Sequence, residues 1–182
     1  MDPFWYSPAE YPYLIHNQSR LKSAGLWWQQ LTVARRNAGS IAAGLQELHA
    51  FLSEFGVPAD GYFLRDGSGL ARLNLVTPAT VVKLLRHMYA SPFREQWMSL
   101  LPVSGEDGSL RLRFDGSPAA GRVHAKTGSL SHVSALSGYI ERRGGDWLAF
   151  SILVNNYNLP TAEVRSAIDR ICTLIVEERT TK

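Results

Sequence analysis

Apolar residues recur at helical spacing through Ile41, Leu45, Leu48, Phe51, Leu52 and Phe55, so the pattern predicts an amphipathic helix that Ser40 caps and Gly56 ends. A second helix is predicted from Thr77-Pro78, where threonine caps, proline takes the first helical position, and Val81, Val82, Leu84, Leu85 and Met88 form a buried stripe. A further helical stretch covers roughly 93–100. Between the first two helices, the Tyr62-Phe63-Leu64 segment is bracketed by Asp60-Gly61 and Asp66-Gly67-Ser68-Gly69, which reads as a short extended piece ending in a tight turn. Residues 102–120 are rich in Gly, Ser and Asp and read as a long surface loop. Strands are predicted at about 121–126, 133–141 and 147–155, the last two joined as a hairpin by Arg143-Gly144-Gly145-Asp146. A last helix runs from Pro160-Thr161 to about Glu178, with Val164, Ile168, Ile171, Cys172 and Ile175 on one face. Helices, then an antiparallel sheet, then a helix packed on it make an α+β (mixed α/β) layer arrangement.

Residues 1–38 fit this pattern less well. Residues 1–13 hold three prolines among several aromatics and predict an irregular lead-in. From Gln18 to Leu31, the residues Leu21, Leu26, Trp27, Trp28 and Leu31 are compatible with a helix, and the paired tryptophans most simply pack a core. We therefore divide the chain into a divergent, disrupted lead-in at 1–38 and a folded part at 39–182.

Composition narrows the function classes. The 182 residues are 45% hydrophobic and 19% charged, which suits one globular domain with a sizeable core. A formal net charge of +3 without a dense Lys/Arg cluster argues against a nucleic-acid partner. The single cysteine, Cys172, excludes an internal disulfide, and its place on an apolar helix face reads as a buried thiol. No apolar run reaches transmembrane length. The first residues show no basic region followed by an apolar stretch, so no signal peptide is legible, and a chain complete as it stands would be cytoplasmic. The histidines at 16, 49, 87, 124 and 132 lack metal-ligand spacing, and no metal or cofactor is expected.

The chemistry concentrates at Val123-His124-Ala125-Lys126-Thr127-Gly128-Ser129-Leu130. A strand-borne ammonium attracts a carboxylate and tunes a neighbouring proton relay, a threonine hydroxyl hydrogen-bonds the same carboxylate, and glycine lets a substrate backbone approach closely. The Ser129 N–H would then point at a developing oxyanion. Alone, the triplet is weak: it arises by chance in about 4% of chains of this length at average residue usage. A phosphate-binding loop needs Gly before the Lys and a helix after it; Ala125 and a following apolar strand pattern rule that out. Ser68 lacks the flanking glycines of a nucleophile elbow and reads as a turn residue. His124 shares Lys126's face on an alternating strand, either as a neighbour to the site or as a surface histidine.

Five segments occur in order: Asp66-Gly67-Ser68-Gly69-Leu70-Ala71-Arg72-Leu73-Asn74, the 101–110 stretch from Leu101-Pro102 to Ser109-Leu110, Ala125-Lys126-Thr127-Gly128-Ser129-Leu130, Leu136-Ser137-Gly138-Tyr139, and 150–155. Together they resemble the C-terminal part of class C low-molecular-mass penicillin-binding proteins, the D-alanyl-D-alanine carboxypeptidases and endopeptidases, over roughly 39–178. The resemblance implies a serine β-lactamase/transpeptidase-like fold, incomplete in this chain, with three motifs: Ser-x-x-Lys carrying the acylated serine, Ser-x-Asn, and Lys-Thr-Gly. It implies a serine-type peptidase of the periplasm or cell envelope. Its ligands would be peptidoglycan peptides ending in D-Ala-D-Ala, with β-lactams as inhibitors. Lys126 and Thr127 would act at the catalytic site, and Gly128 and Ser129 would bind substrate. Arg72 would either contact the peptide side chain or bond loop carbonyls.

The third motif alone is intact. Ser19 stands where the second motif is expected, but Leu21 replaces its Asn and cannot hydrogen-bond a substrate amide. Ser19-Arg20-Leu21-Lys22 also reads literally as Ser-x-x-Lys, with Lys22 one helical turn from Ser19 and able to take its proton. Three readings stay open. The chain supplies the Lys-Thr-Gly wall of a carboxypeptidase whose nucleophile lies upstream of it; it is a catalytically inactive remnant or a penicillin- or peptidoglycan-binding module; or it is a compact acyl-transfer enzyme using Ser19 and Lys22.

Overall fold

The computed structural model describes residues 40–66 and 71–178, and the chain divides into two compact units, 1–50 with 64–74 and 51–63 with 75–182. Helix α1 (Ile41–Glu54) starts where Ser40 Oγ accepts the Ala43 N–H at 3.1 Å, the cap that the sequence predicts. In the first unit, the Asn74 side chain staples the turn around Asp66: its Oδ1 accepts the Arg65 N–H at 2.7 Å and its Nδ2 donates to the Asp66 carbonyl at 2.9 Å.

The second unit holds the sheet. Strands β1 (Tyr62–Phe63) and β2 (Leu75–Val76) form a short antiparallel pair. Helix α2 (Pro78–Ala90) follows, capped by Thr77, whose Oγ1 accepts the Thr80 N–H at 3.2 Å, and then a short helix α3 (Arg94–Ser99). The main sheet is antiparallel in the order β3 (Val123–Leu130), β4 (Val133–Glu141), β5 (Trp147–Asn155), and helix α4 (Thr161–Glu177) closes the fold. The β4–β5 hairpin turns as expected, with Gly145 at φ +83 in open space and the Arg142 guanidinium on the Asp146 carboxylate.

Register sorts the sheet into two faces. Val123, Ala125, Leu136 and Ile140 face α4 and are fully buried with Cys172 and Val176. Tyr139 faces α2 and α3, where it packs with Leu85 and Leu101. Its hydroxyl donates to the Leu85 carbonyl at 2.6 Å and accepts the Trp97 indole N–H at 2.9 Å, and burial pushes the phenol up to about 12.

Two sequence expectations change. The strand expected at 121–126 continues to Leu130, because Lys126–Leu130 pairs residue for residue with Val133–Ser137. Polar Lys126, Thr127 and Ser129 break the apolar alternation, so local pattern stops where cross-strand hydrogen bonds do not. The 102–120 segment is mostly exposed, as a surface loop would be, but it is pinned into the core at a few positions. Ser104 and Ala119 are wholly buried, as is Leu110 in the 3₁₀ turn Gly108–Leu110. Pro102–Ser104 lies along the outer edge of β3: Ser104 N–H donates to the Val123 carbonyl at 2.9 Å, and Ala125 N–H to the Pro102 carbonyl at 2.9 Å.

Ser104 locks this rail. Its hydroxyl donates to the Ala119 carbonyl at 2.6 Å and accepts the Val123 N–H at 3.1 Å. Replacing Ser104 by alanine leaves the buried Val123 N–H without its partner, while the Ala119 carbonyl keeps the Arg122 N–H at 3.1 Å, so urea denaturation should show a loss of about 1–3 kcal/mol.

Candidate functional site

In an antiparallel strand, the backbone groups of alternate residues point to the same side. Val123 and Ala125 send theirs outward to Pro102 and Ser104, so Thr127 and Ser129 send theirs outward too. Beyond Ser104 the rail turns away, and no strand among the described residues covers the edge from Lys126 to Leu130. Among the described residues the Lys-Thr-Gly segment is therefore an unpaired sheet edge, able to accept an extended ligand as an added strand.

The side chains leave this edge on opposite faces. Thr127 and Ser129 lie opposite Leu136 and Ser134 on the α4 side; Lys126 and Gly128 lie opposite Ser137 and Ala135 on the other. The Lys126 ammonium is exposed and folds over the edge to donate to the Thr127 carbonyl at 2.7 Å. The Thr127 hydroxyl donates to Ser109 Oγ at 2.9 Å. A Cβ on Gly128 would come to 3.2 Å from the Ala135 Cβ, so glycine also keeps this face of the edge low.

On the α4 side a cleft of about 350 Å³ opens beside the edge, lined by Ser109, Leu112, Arg113, Thr127, Gly128, Ser129, Ser134, Ala135, Arg165 and Ile168. Arg113 holds the Asp169 carboxylate with two donors, Nε at 3.1 and 3.2 Å from its two oxygens and Nη2 on Oδ1, a bidentate pair. Arg165 donates to Ser129 Oγ at 3.1 Å. The Ser134 hydroxyl meets the Tyr157 hydroxyl at 2.9 Å, and Tyr157 in turn lies 3.2 Å from Thr161 Oγ1. These bonds, first to Ser134 and then to Thr161, draw the exposed Tyr157 phenol below its ordinary value.

Lys126, Thr127, Gly128 and Ser129 are thus brought together on one edge. Arg72 is exposed and belongs to the first unit. Ser19, with Leu21 and Lys22, lies outside the described residues. Sequence reasoning did not find Ser109, Ser134, Arg113 or Arg165. Only Arg165 left a signal: Val164 and Ile168 mark the buried stripe of α4, which puts position 165 at its rim.

His124 shares Lys126's face and packs edge-on against Trp147 at 5.0 Å. Burial holds its imidazole below the ordinary value, against a weaker opposing pull from Glu106, Glu141 and Asp107. The unfolded chain therefore takes up a proton on His124 at higher pH than the folded chain does. Its neutral form favours folding above about pH 6.5, and that advantage declines as pH falls below it. A His124→Phe variant should show a flatter dependence of melting temperature on pH between about 7 and 5 than the parent chain.

The family model for the D-Ala-D-Ala carboxypeptidase 3 (S13) family matches residues 16–175. The D-alanyl-D-alanine carboxypeptidase of Actinomadura sp. (strain R39) is 47% identical over 128 residues, 68% of this chain and 24% of that protein. The penicillin-sensitive carboxypeptidase A of Dictyostelium discoideum is 33% identical over 153 residues, 80% of this chain and 29% of that protein. This chain thus spans roughly a quarter to a third of the length of those relatives. Among solved structures, penicillin binding protein 4 from Haemophilus influenzae superposes with a TM-score of 0.78 at 25% identity, covering 85% of this chain and 36% of that one. The antiparallel sheet with packed helices is the arrangement that the resemblance implied. With the family model matched across the whole of the described sheet and its Lys-Thr-Gly edge, this chain belongs to the D-Ala-D-Ala carboxypeptidase 3 (S13) family.

Proposed function

We propose that this chain supplies the Lys-Thr-Gly wall of a serine-type D-Ala-D-Ala carboxypeptidase or endopeptidase acting on peptidoglycan peptides in the periplasm or cell envelope. The observation that carries the reading is the free edge of β3, with the backbone groups of Thr127 and Ser129 turned outward beside a polar cleft. A D-alanyl peptide lies along this edge as an added strand. Thr127 and Ser129 hydroxyls receive its terminal carboxylate, and the Ser129 N–H stands ready for the oxyanion of acyl transfer. Lys126, on the other face, supports the proton relay of the acylated serine. β-Lactams occupy the same edge; the Haemophilus influenzae protein has been solved complexed with a novel β-lactam.

The nucleophile is assigned to no described residue. The chain's one Ser-x-x-Lys, at Ser19 and Lys22, supports the compact-enzyme reading, and a labelling experiment separates the two. If the chain supplies only the wall, a fluorescent penicillin leaves it without covalent label while acetyl-D-Ala-D-Ala binds reversibly. Covalent label that disappears in Ser19→Ala would replace the wall reading with the compact enzyme. A chain that takes no label and binds no peptide would refute both.

A further inference from the structure

Two guanidinium groups enter the cleft beside β3, and they differ in one respect. Arg113 is half-buried and spends its charge on the Asp169 carboxylate, which it holds through a bidentate pair. Arg165 is exposed, makes no ion pair among the described residues, and gives one N–H to a neutral acceptor, Ser129 Oγ, at 3.1 Å. A guanidinium has five donors in a planar fork, and a single bond to a hydroxyl leaves most of them available. Thr127 and Ser129 present their hydroxyls on the α4 face, the face from which Arg165 reaches in, whereas Lys126 departs from the opposite face. A carboxylate seated against both hydroxyls therefore meets Arg165 on its own side of the sheet, a cation with no ion pair among the described residues, while the Lys126 ammonium comes over the edge from the other face to the Thr127 carbonyl.

We propose that Arg165 is a substrate-binding residue that pairs with the free carboxylate of the peptide's last residue, together with the Thr127 and Ser129 hydroxyls. The inference rests on the reading of the β3 edge as a D-alanyl peptide dock and adds to it a carboxylate requirement. Arg165 selects a free C-terminus over an amidated one, because a neutral amide gains no charge-assisted bond from a guanidinium and presents donors to a donor. Its existing bond to Ser129 Oγ holds the fork in place before the ligand arrives, which lowers the ordering cost of binding.

The test is a calorimetric titration of the full chain with acetyl-D-Ala-D-Ala and with its C-terminal amide, repeated on Arg165→Gln and Arg165→Lys. The parent chain should prefer the free carboxylate. Arg165→Gln should weaken that ligand about tenfold while leaving the amide's affinity unchanged, and Arg165→Lys should recover part of the loss. Because Arg165 is solvent-exposed, the variants should melt with the parent. If Arg165→Gln binds both peptides as the parent does, the role of Arg165 is overturned and the dock stands. If it weakens both equally, Arg165 serves only to hold Ser129, and the carboxylate role is again overturned. If the parent chain binds neither peptide, the dock itself is refuted and this inference with it.

Discussion

Replacing Gly138 by alanine should cost the folded chain about 3 kcal/mol or more, read as a fall in the urea midpoint at an unchanged slope. Gly138 lies on β4 directly opposite Ala125 of β3. A Cβ built there would stand 2.1 Å from the His124 carbonyl oxygen, 2.6 Å from the Ala125 Cα and 2.8 Å from the Ala125 Cβ. Two of those three atoms are backbone in the middle of a paired strand, so no side-chain rotation relieves the overlap. Ala125 is itself wholly buried against the α4 layer. The strands must separate, and the pairs from Lys126 onward separate with them. Gly145 is the matched control. A Cβ there meets nothing within 4 Å, and alanine pays only for its φ of +83, about 1 kcal/mol. Equal losses at the two positions would show that β3 and β4 do not pack as described.

Thr127→Val should weaken acetyl-D-Ala-D-Ala binding about tenfold or more while changing stability by about 1 kcal/mol at most. Valine keeps the volume and the β-branch that suit a strand, so the edge keeps its shape. It loses the hydroxyl that now donates to Ser109 Oγ at 2.9 Å. That bond joins two partly or fully exposed hydroxyls, and water replaces it in Ser109 at little cost. A ligand carboxylate has no such substitute, because a hydrogen bond to a charged acceptor is about twice as strong as one between neutral groups. Unchanged affinity in Thr127→Val would remove this hydroxyl from the dock.

Much of this fold was legible from local chemistry. Thr77-Pro78 announced α2, glycines at 144 and 145 announced the β4–β5 turn, and the 3.6-residue spacing of Val164, Ile168 and Cys172 announced α4. Each of these signals acts within a few residues of the element that it sets. The failures share a cause of the opposite kind. Lys126–Ser129 is strand because β4 pairs with it, and nothing in its own polarity says so. Leu110 and Ala119 are core because Ser104 ties their segment together and to β3, through a bond to Ala119 that spans 15 residues and one to Val123 that spans 19. Phe114 is buried with φ +66, a conformation that no propensity for phenylalanine suggests.

The candidate site divides along the same line. Lys126, Thr127, Gly128 and Ser129 are contiguous, so the residues that form the edge could be read directly. Ser109 and Arg165 reach it from 18 and 36 residues away, and only folding brings them there. Side-chain alternation then refines what the triplet does. Lys126 and Thr127 are adjacent in sequence but leave the sheet on opposite faces, so they serve different parts of a bound peptide.

The β3 edge as a D-alanyl peptide dock is tested by an amide-resolved NMR titration of the ¹⁵N-labelled chain with acetyl-D-Ala-D-Ala, with acetyl-L-Ala-L-Ala as the control. Saturable shifts are expected at the Thr127 and Ser129 amides, the two that face the open edge, with the D,D-peptide and not with its L,L-counterpart. Saturable D,D-peptide shifts that spare the β3 edge, or no response to the D,D-peptide at all, would contradict the dock.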